Sequence, residues 1–370
     1  MFKTLLKNTD LILLISVILL VIIGIVGIYS AGYNDTTTKT DYVKQFFWLI
    51  ASLVVLIIVW LLDYNMFGVL SIPLYVVCLG LLVGVLFTEP IYGATSWFRF
   101  GPISIQPSEI MKVVYILLSA KYIDYILSKD KNAINKWQNI LAILGIMLVP
   151  VLLILKQPDF GTAAVFLFMT VLMLYKAGIK YKYIIVGFLI LLALIPLVYF
   201  FVLNDVQKQR ILVFLNPELE PLGSGYNAIQ SKIAVGSGML FGTGLLKGTQ
   251  TQDGYLPVKT SDFIFSVISE EMGFIISALI VIIYTVLLVR IVNVSRTARD
   301  TYGSLVTIGI FGMIFFHFIE NIGMTMGLLP ITGIPLPFVS YGGSNLLTNF
   351  VAIGIVLSVS ARRQRTFFVD

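Results

Sequence analysis

The run LILLISVILLVIIGIVGI at residues 11–28 carries no charged side chain over eighteen positions, the length at which an α-helix crosses a hydrocarbon core about 30 Å thick. Lys3 and Lys7 stand before it, a flank shared by signal peptides and first membrane spans. The run is too long for a signal peptide's apolar region, and YSAGYND after it is a weak cleavage site, so a retained first span is expected. The rest of the chain has the same character: 58% of its 370 residues are hydrophobic and 12% charged, with mean hydropathy +0.96, where a soluble domain carries about 25% charge. Backbone amides in lipid must be satisfied within the segment itself, so helices follow.

Apolar stretches of spanning length fall near residues 10–31, 45–62, 67–87, 108–127, 138–155, 160–176, 182–203, 263–290, 302–326 and 341–360. The expectation is an all-α polytopic membrane protein of ten transmembrane helices, read as a single membrane domain over residues 1–370. An even number puts both termini on one side. Of the 25 Lys and Arg, fourteen lie in the short segments of that side: Lys3, Lys7, Lys129, Lys131, Lys136, Lys176, Lys180, Lys182, Arg290, Arg296, Arg299, Arg362, Arg363 and Arg365. Positive charge collects on the cytoplasmic side, so both termini are expected there. Orientation thereby accounts for the net charge of +6 without nucleic-acid binding.

The unusual material lies outward. The connection at about 204–262, between helices seven and eight, is dense in Gly, Pro and Asn and far longer than an ordinary loop of about 4–6 residues; within it, QSKIAVGSGMLFG (230–242) reads as a short interfacial or re-entrant helix. YGATSWFRFGPISIQPSEIMK (92–112) offers interfacial aromatics and then Pro107 and Ser108 at a helix start. LLPITGIPLPFVSYGGSNL (328–346) leads into the last span. The lone Cys78 excludes a disulfide framework, and the lone His317 excludes a multi-histidine metal site.

Ionisable residues gather at the same outward ends. Glu109 and Lys112 share a helix face at i, i+3 and read either as an ion pair or as site residues. Asp159 precedes span six as a helix cap or a site carboxylate. LPVKTSDFIFSVISEEMGF (256–274) places Asp262 at a helix start and Glu270 and Glu271 two turns deeper, where adjacent side chains diverge; one is expected to support the cavity or a cation, the other to snorkel or pair. His317 and Glu320 fit a helix-to-helix hydrogen bond better than a metal site. The SYGGSN turn (340–345) can offer backbone N–H groups to an anion. With Lys112, Arg210 and Lys232 as cations, these features suit a lipid-linked sugar diphosphate, whose transfer needs a base near the attacking hydroxyl. A transporter with broken helices would share them.

GATSWFRFGPISIQPSEIMK, QPDFGT, the stretch from QKQRILVFLNPELEPLGSGYN through SDFIFSVISEEMGF, and PLPFVSYGGSNLLTNFVAIGIVLSV closely resemble the shape, elongation, division and sporulation (SEDS) family of bacterial peptidoglycan polymerases, over nearly the whole chain. GTQTQ before YLP resembles its rod-shape branch more than its division branch. The resemblance implies a glycosyltransferase that polymerises lipid II at the outer face of the cytoplasmic membrane beside a class B penicillin-binding protein. It maps the family's essential acid onto Asp262, the QPSE acid and lysine onto Glu109 and Lys112, and the arginine before FLNP onto Arg210. The resemblance thus implies a site of Asp262, Glu109, Lys112 and Arg210; the reading of the residues makes Asp262 the general base and adds Asp159, Lys232, Ser340 and Gly342 around the substrate, with Mg²⁺ or Mn²⁺ on the diphosphate. The chain departs from the pattern at Val258 and Thr260, where Glu and His are usual, at Ser96, where Arg is usual and Arg99 is the nearest substitute, and at Thr243. A lipid II flippase and a non-catalytic scaffold are the alternatives.

Overall fold

The computed structural model describes residues 8–89, 95–101, 103–201, 208–209, 212–214, 216 and 223–363. Twelve α-helices are resolved among them: α1 (Leu11–Gly32), α2 (Asp41–Leu61), α3 (Tyr64–Val85), α4 (Pro107–Lys129), α5 (Trp137–Leu155), α6 (Phe160–Lys176), α7 (Tyr181–Phe201), α8 (Ser224–Ser237), α9 (Thr249–Gln252), α10 (Ile264–Thr297), α11 (Thr301–Thr325) and α12 (Gly343–Ala361). Eight are long and apolar enough to cross a membrane: α1, α2, α3, α5, α7, α10, α11 and α12. Helices α4 and α6 occupy the other two stretches that the sequence marks as spans. Helix α6 is shorter at 17 residues, and α4 carries Glu109, Lys112, Lys121, Asp124 and Lys129.

Local sequence sets the helix ends. Asp10 caps α1, accepting from Leu13 N at 3.2 Å, and its second oxygen receives Arg290 Nη2 at 2.6 Å, joining α1 to α10 where Asp10 is buried. Arg290 therefore lies inside α10, which continues to Thr297 past the expected end at 290. Pro107 opens α4 at a position whose missing N–H costs nothing. Before it, β1 (Phe98–Phe100) and β2 (Ile103–Ile105) form a two-stranded antiparallel hairpin with Arg99 opposite Ser104. Helices α11 and α12 are the most enclosed of the apolar helices, while α7 buries nothing along its apolar window and lies at the periphery. In water that exposure would be a defect; in a bilayer it is the lipid face.

The α8–α10 connection is built into the bundle. Helix α10 is interrupted at Gly273, whose φ of 76° and ψ of −174° are not helical. Residues 239–244 cross the interruption, where Phe274 N donates to Met239 O at 2.8 Å, Thr243 N to Glu270 O at 2.9 Å and Gly244 N to Glu271 O at 3.0 Å. The loop thus satisfies carbonyls freed by the break, which irregular backbone in a membrane protein requires. A side chain at Gly273 would collide with the backbone of Leu240, Phe241 and Gly242, so a left-handed residue without a Cβ is demanded twice over.

The same loop corrects the expectation for the paired acids. Glu270 accepts from Gln250 N at 2.8 Å, Thr251 N at 3.0 Å and Thr251 Oγ1 at 2.7 Å. Glu271 receives Gln252 Nε2 at 2.7 Å and the Ser30 hydroxyl. Neither snorkels nor faces an open cavity. Helix α9 lies across the divergence between the two side chains, and the long Gln252 reaches the second. Hydrogen bonds to a charged group contribute about 1.5–3 kcal/mol each. Glu270→Ala is therefore expected to lower stability by on the order of 3 kcal/mol and to open residues 243–257 to limited proteolysis; an unchanged melting curve and digestion pattern would refute the strut.

Candidate active site

Asp262 sits in the turn before α10, partly exposed. Three contacts hold the backbone of this turn. Ser340 Oγ donates to Ser261 O at 2.6 Å, Tyr341 N donates to Thr260 O at 2.9 Å, and Asn321 Nδ2, from α11, donates to Asp262 O at 2.9 Å and Ile334 O at 2.8 Å. Val258 opens the turn at a φ of 48°, a conformation uncommon for a β-branched residue. The carboxylate itself is lightly held: Ser261 Oγ donates to Oδ1 at 3.0 Å, and among the described residues Oδ2 receives no hydrogen bond, facing Gly333 instead. Loss of water around this carboxyl pushes its pKa up to about 6, with the Ser261 hydroxyl pulling weakly the other way.

One turn of α11 links this turn to a buried polar cluster. His317 lies four residues before Asn321 on the same face. Its Nε2 is 2.8 Å from Lys112 Nζ, and its Nδ1 is 3.3 Å from Pro335 O. A lysine ammonium only donates, so Nε2 accepts and the ring proton resides on Nδ1. Lys112 Nζ also donates to Glu109 Oε1 at 2.8 Å, with the two side chains 1% and 3% exposed. Asn345, in the first turn of α12, donates to Glu109 Oε2 at 2.9 Å. Glu320 receives Thr332 Oγ1 at 2.9 Å. Segment 328–342 is thereby pinned along α11 between Asp262 and the Lys112 cluster, and Gly161 of α6 packs against Ile334 and Thr332.

The remaining sequence candidates fall at distinct distances from open space. Asp159 caps α6, accepting from Thr162 N at 3.0 Å, Thr162 Oγ1 at 2.7 Å and Gln106 Nε2 at 3.4 Å; its pKa is raised by burial, against the hydrogen bonds from Thr162. Lys232 is exposed on α8 with its stem across Gly327, and the adjacent Ser231 Oγ meets Ser266 Oγ of α10 at 2.7 Å, one turn from Asp262. Ser340 is buried in the Ser261 contact and also accepts from Leu336 N at 2.8 Å. Gly342 N donates to Gln45 Oε1 at 3.2 Å. With Tyr341 N given to Thr260, the first amides of the SYGGSN turn are spent on protein partners, which corrects its reading as an open anion nest. Lys112 is likewise buried, with two of its three ammonium protons directed at Glu109 and His317, so direct contact with a substrate would require that cluster to part. Arg210 lies outside the described residues.

Two features escaped sequence reasoning. Gln45, on α2 and fully buried, grips the 340–342 backbone through both ends of its amide, and Asn321 bridges two backbone carbonyls. Neither has a spacing signal; an amide in an apolar helix was the only hint. Of the departures from the family pattern, Thr260 is buried, Ser96 is buried and Arg99 is exposed on the hairpin. Among the described residues no group of three His, Cys, Asp or Glu could hold a metal ion. The donors do not make a protein cage, so a divalent cation would have to arrive with a substrate's phosphates.

A family model described as Cell cycle protein, covering FtsW, RodA and SpoVE, matches residues 10–365. Peptidoglycan glycosyltransferase RodA of Treponema pallidum is 33% identical, covering 96% of this chain and 98% of its own length. Peptidoglycan glycosyltransferase MrdB of Escherichia coli K12 is 35% identical, with coverages of 96% and 95%. A chain from a structure of a peptidoglycan synthase complex, described as coordinating polymerization and crosslinking, superposes with a TM-score of 0.82 at 29% identity, over 96% of this chain and 99% of that one.

Proposed function

The chain belongs to the FtsW, RodA and SpoVE family of cell cycle proteins, and on that footing we propose that it is a peptidoglycan glycosyltransferase of the cytoplasmic membrane, a multi-pass enzyme that polymerises lipid II at the outer face with both termini in the cytoplasm. The observation that carries the assignment of the base is the contrast among carboxylates. Glu109, Asp159, Glu270 and Glu271 each accept from two or more donors. Among the described residues Asp262 alone of these five keeps an oxygen without a hydrogen bond; Glu320, with Thr332 as its one donor, shares that feature but is buried, whereas Asp262 is partly exposed in a turn whose backbone is held at three carbonyls. A fixed position and an unspent lone pair are what a general base needs.

In the proposed step Asp262 takes the proton from the 4-hydroxyl of the acceptor sugar as that oxygen bonds to the anomeric carbon of the donor muramyl unit. The anomeric carbon–oxygen bond breaks on the opposite face, its electron pair leaving with the polyprenyl diphosphate, and configuration inverts. The diphosphate's charge is met by Lys232 and Arg210, with Mg²⁺ or Mn²⁺ as its counter-ion. Lys112, held by Glu109 and His317, adds positive potential from behind the site, and Asp159, Ser340 and Gly342 hold the walls. A class B penicillin-binding protein is the proposed partner, supported by the likeness to a polymerizing and crosslinking complex.

Acid should silence the base. A carboxyl raised to about 6 by burial is ionised above that pH, so polymerisation of purified lipid II is expected to fall as pH drops through 6, with stability moving oppositely because the folded state favours the protonated form. A rate flat from pH 7.5 to pH 5 would exclude Asp262 as base. A flippase is separated by vesicles scored in parallel for lipid II scrambling and for glycan formation. Polymer without scrambling supports the transferase; scrambling without polymer overturns it.

A further inference from the structure

About 50 Å of helix from Asp262, at the other end of α10, the C-terminal ends of α6 and α10 meet the start of α11 around a groove of about 390 Å³. This volume lies within the 300–1,000 Å³ usual for small-molecule sites. Lys176, Arg296 and Arg299 line it, with Asp300, Thr301 and the apolar Leu305. All three cations are exposed, and among the described residues none forms an ion pair. The single acid in the lining is already engaged: Asp300 accepts from Gly303 N at 2.7 Å and from Tyr64 OH at 2.6 Å. Asp124 of α4 lies close enough to Asp300 for the two carboxylates to repel and has Lys121 beside it, so these two α4 residues add no net charge. The side chains lining the groove therefore carry an excess of positive charge, three cations against one acid, which outweighs the partial negative charge of the α6 and α10 C-termini that meet there.

We propose that this groove binds the phosphate-bearing headgroup of an acidic phospholipid. Charge bias towards the cytoplasm explains why Lys and Arg occur in this loop, but not why three of them, from two separate connections, converge on one cavity with a single carboxylate, Asp300, that forms no ion pair with any of them among the described residues. Depth favours a lipid over a soluble phosphate. Tyr175, beside Lys176, and Tyr181 are 56% and 67% exposed, with ring centroids 6.1 Å apart, and exposed tyrosines at helix ends mark the membrane–water interface. Basic pockets between membrane helices at that level capture anionic headgroups. The site is independent of the transfer chemistry at Asp262.

The test uses the full-length protein in neutral detergent, with bound lipid counted by native mass spectrometry during titration with phosphatidylglycerol, cardiolipin or phosphatidylcholine. Replacing Lys176, Arg296 and Arg299 together by Gln is expected to weaken phosphatidylglycerol binding by about 10²-fold, about fivefold for each charge, with phosphatidylcholine unaffected. The exposed positions leave the fold intact, which an unchanged melting curve checks. Lys129, Lys131 and Lys136 replaced together by Gln serve as the control, since they remove equal charge from a neighbouring loop. Retained acidic-lipid affinity in the first variant, or an equal loss in the control, would overturn the proposal. Displacement by glycerol phosphate as effective as by the intact lipid would assign the groove to soluble phosphates instead and overturn the lipid assignment.

Discussion

Asp262→Asn is expected to reduce glycan formation from purified lipid II by about 10²-fold or more while leaving the protein folded and able to bind lipid II. The amide preserves shape, and the contacts that hold this turn run through backbone atoms of Thr260, Ser261 and Asp262 rather than through the carboxylate. Among the described residues the only hydrogen bond at risk is the one from Ser261 Oγ, and a side-chain amide oxygen can still accept it. What disappears is the capacity to take a proton, without which the attacking hydroxyl must lose its own to water. Comparing rates of the variant and the parent chain, each with and without the proposed transpeptidase partner, isolates the chemical step from any effect of that partner. Glycan chains at near parental rate from the Asn variant would remove Asp262 from the mechanism.

A second large effect is expected at Lys112. Its ammonium and the Glu109 carboxylate are buried together, so removing either leaves the other unpaired out of water, at a cost of about 3–5 kcal/mol. Lys112→Met and Glu109→Gln should each melt well below the parent chain. For Glu109→Gln, part of the Asn345 contact can survive through the amide oxygen, so Lys112→Met should be the more severe. The double variant carries no buried charge and should recover much of the loss, as pairs replaced by apolar or neutral groups commonly do. Single variants as stable as the parent, or a double variant no better than the worse single one, would show that the pair is not a structural unit. Stability regained without polymerisation would assign the Lys112 field a part in the transfer itself.

Much of the fold is legible in the sequence because lipid imposes it. A helix whose neighbours are acyl chains must satisfy its own amides, so the length of an apolar run predicts a helix, and eight of the expected stretches hold helices long and apolar enough to cross a membrane. The boundary at Arg290 was less legible: a charged residue reads as the end of a span until Asp10, 280 residues away in sequence, provides its partner. The site was partly legible. Asp262 stood out as a polar residue before an apolar run, whereas the sequence left Glu109 with Lys112 open between an ion pair and substrate contacts, because i, i+3 spacing is the same for both. Glu270 and Glu271 were misjudged because their partners come from a loop whose path no local pattern encodes.

Chain chemistry alone determined that this is a helical membrane protein, which stretches are helices, and which family it resembles, since those properties follow from the length, polarity and order of local segments. The three-dimensional arrangement decided which acids are tied up, leaving Asp262 partly exposed with one oxygen that receives no hydrogen bond among the described residues. Gln45, Asn321 and Ser340 fasten backbone from distant segments around Asp262, and α9 with residues 239–244 occupies Glu270, Glu271 and the break at Gly273. A carboxylate's availability depends on every donor that reaches it, and here most of those donors are brought by chain far from it in sequence.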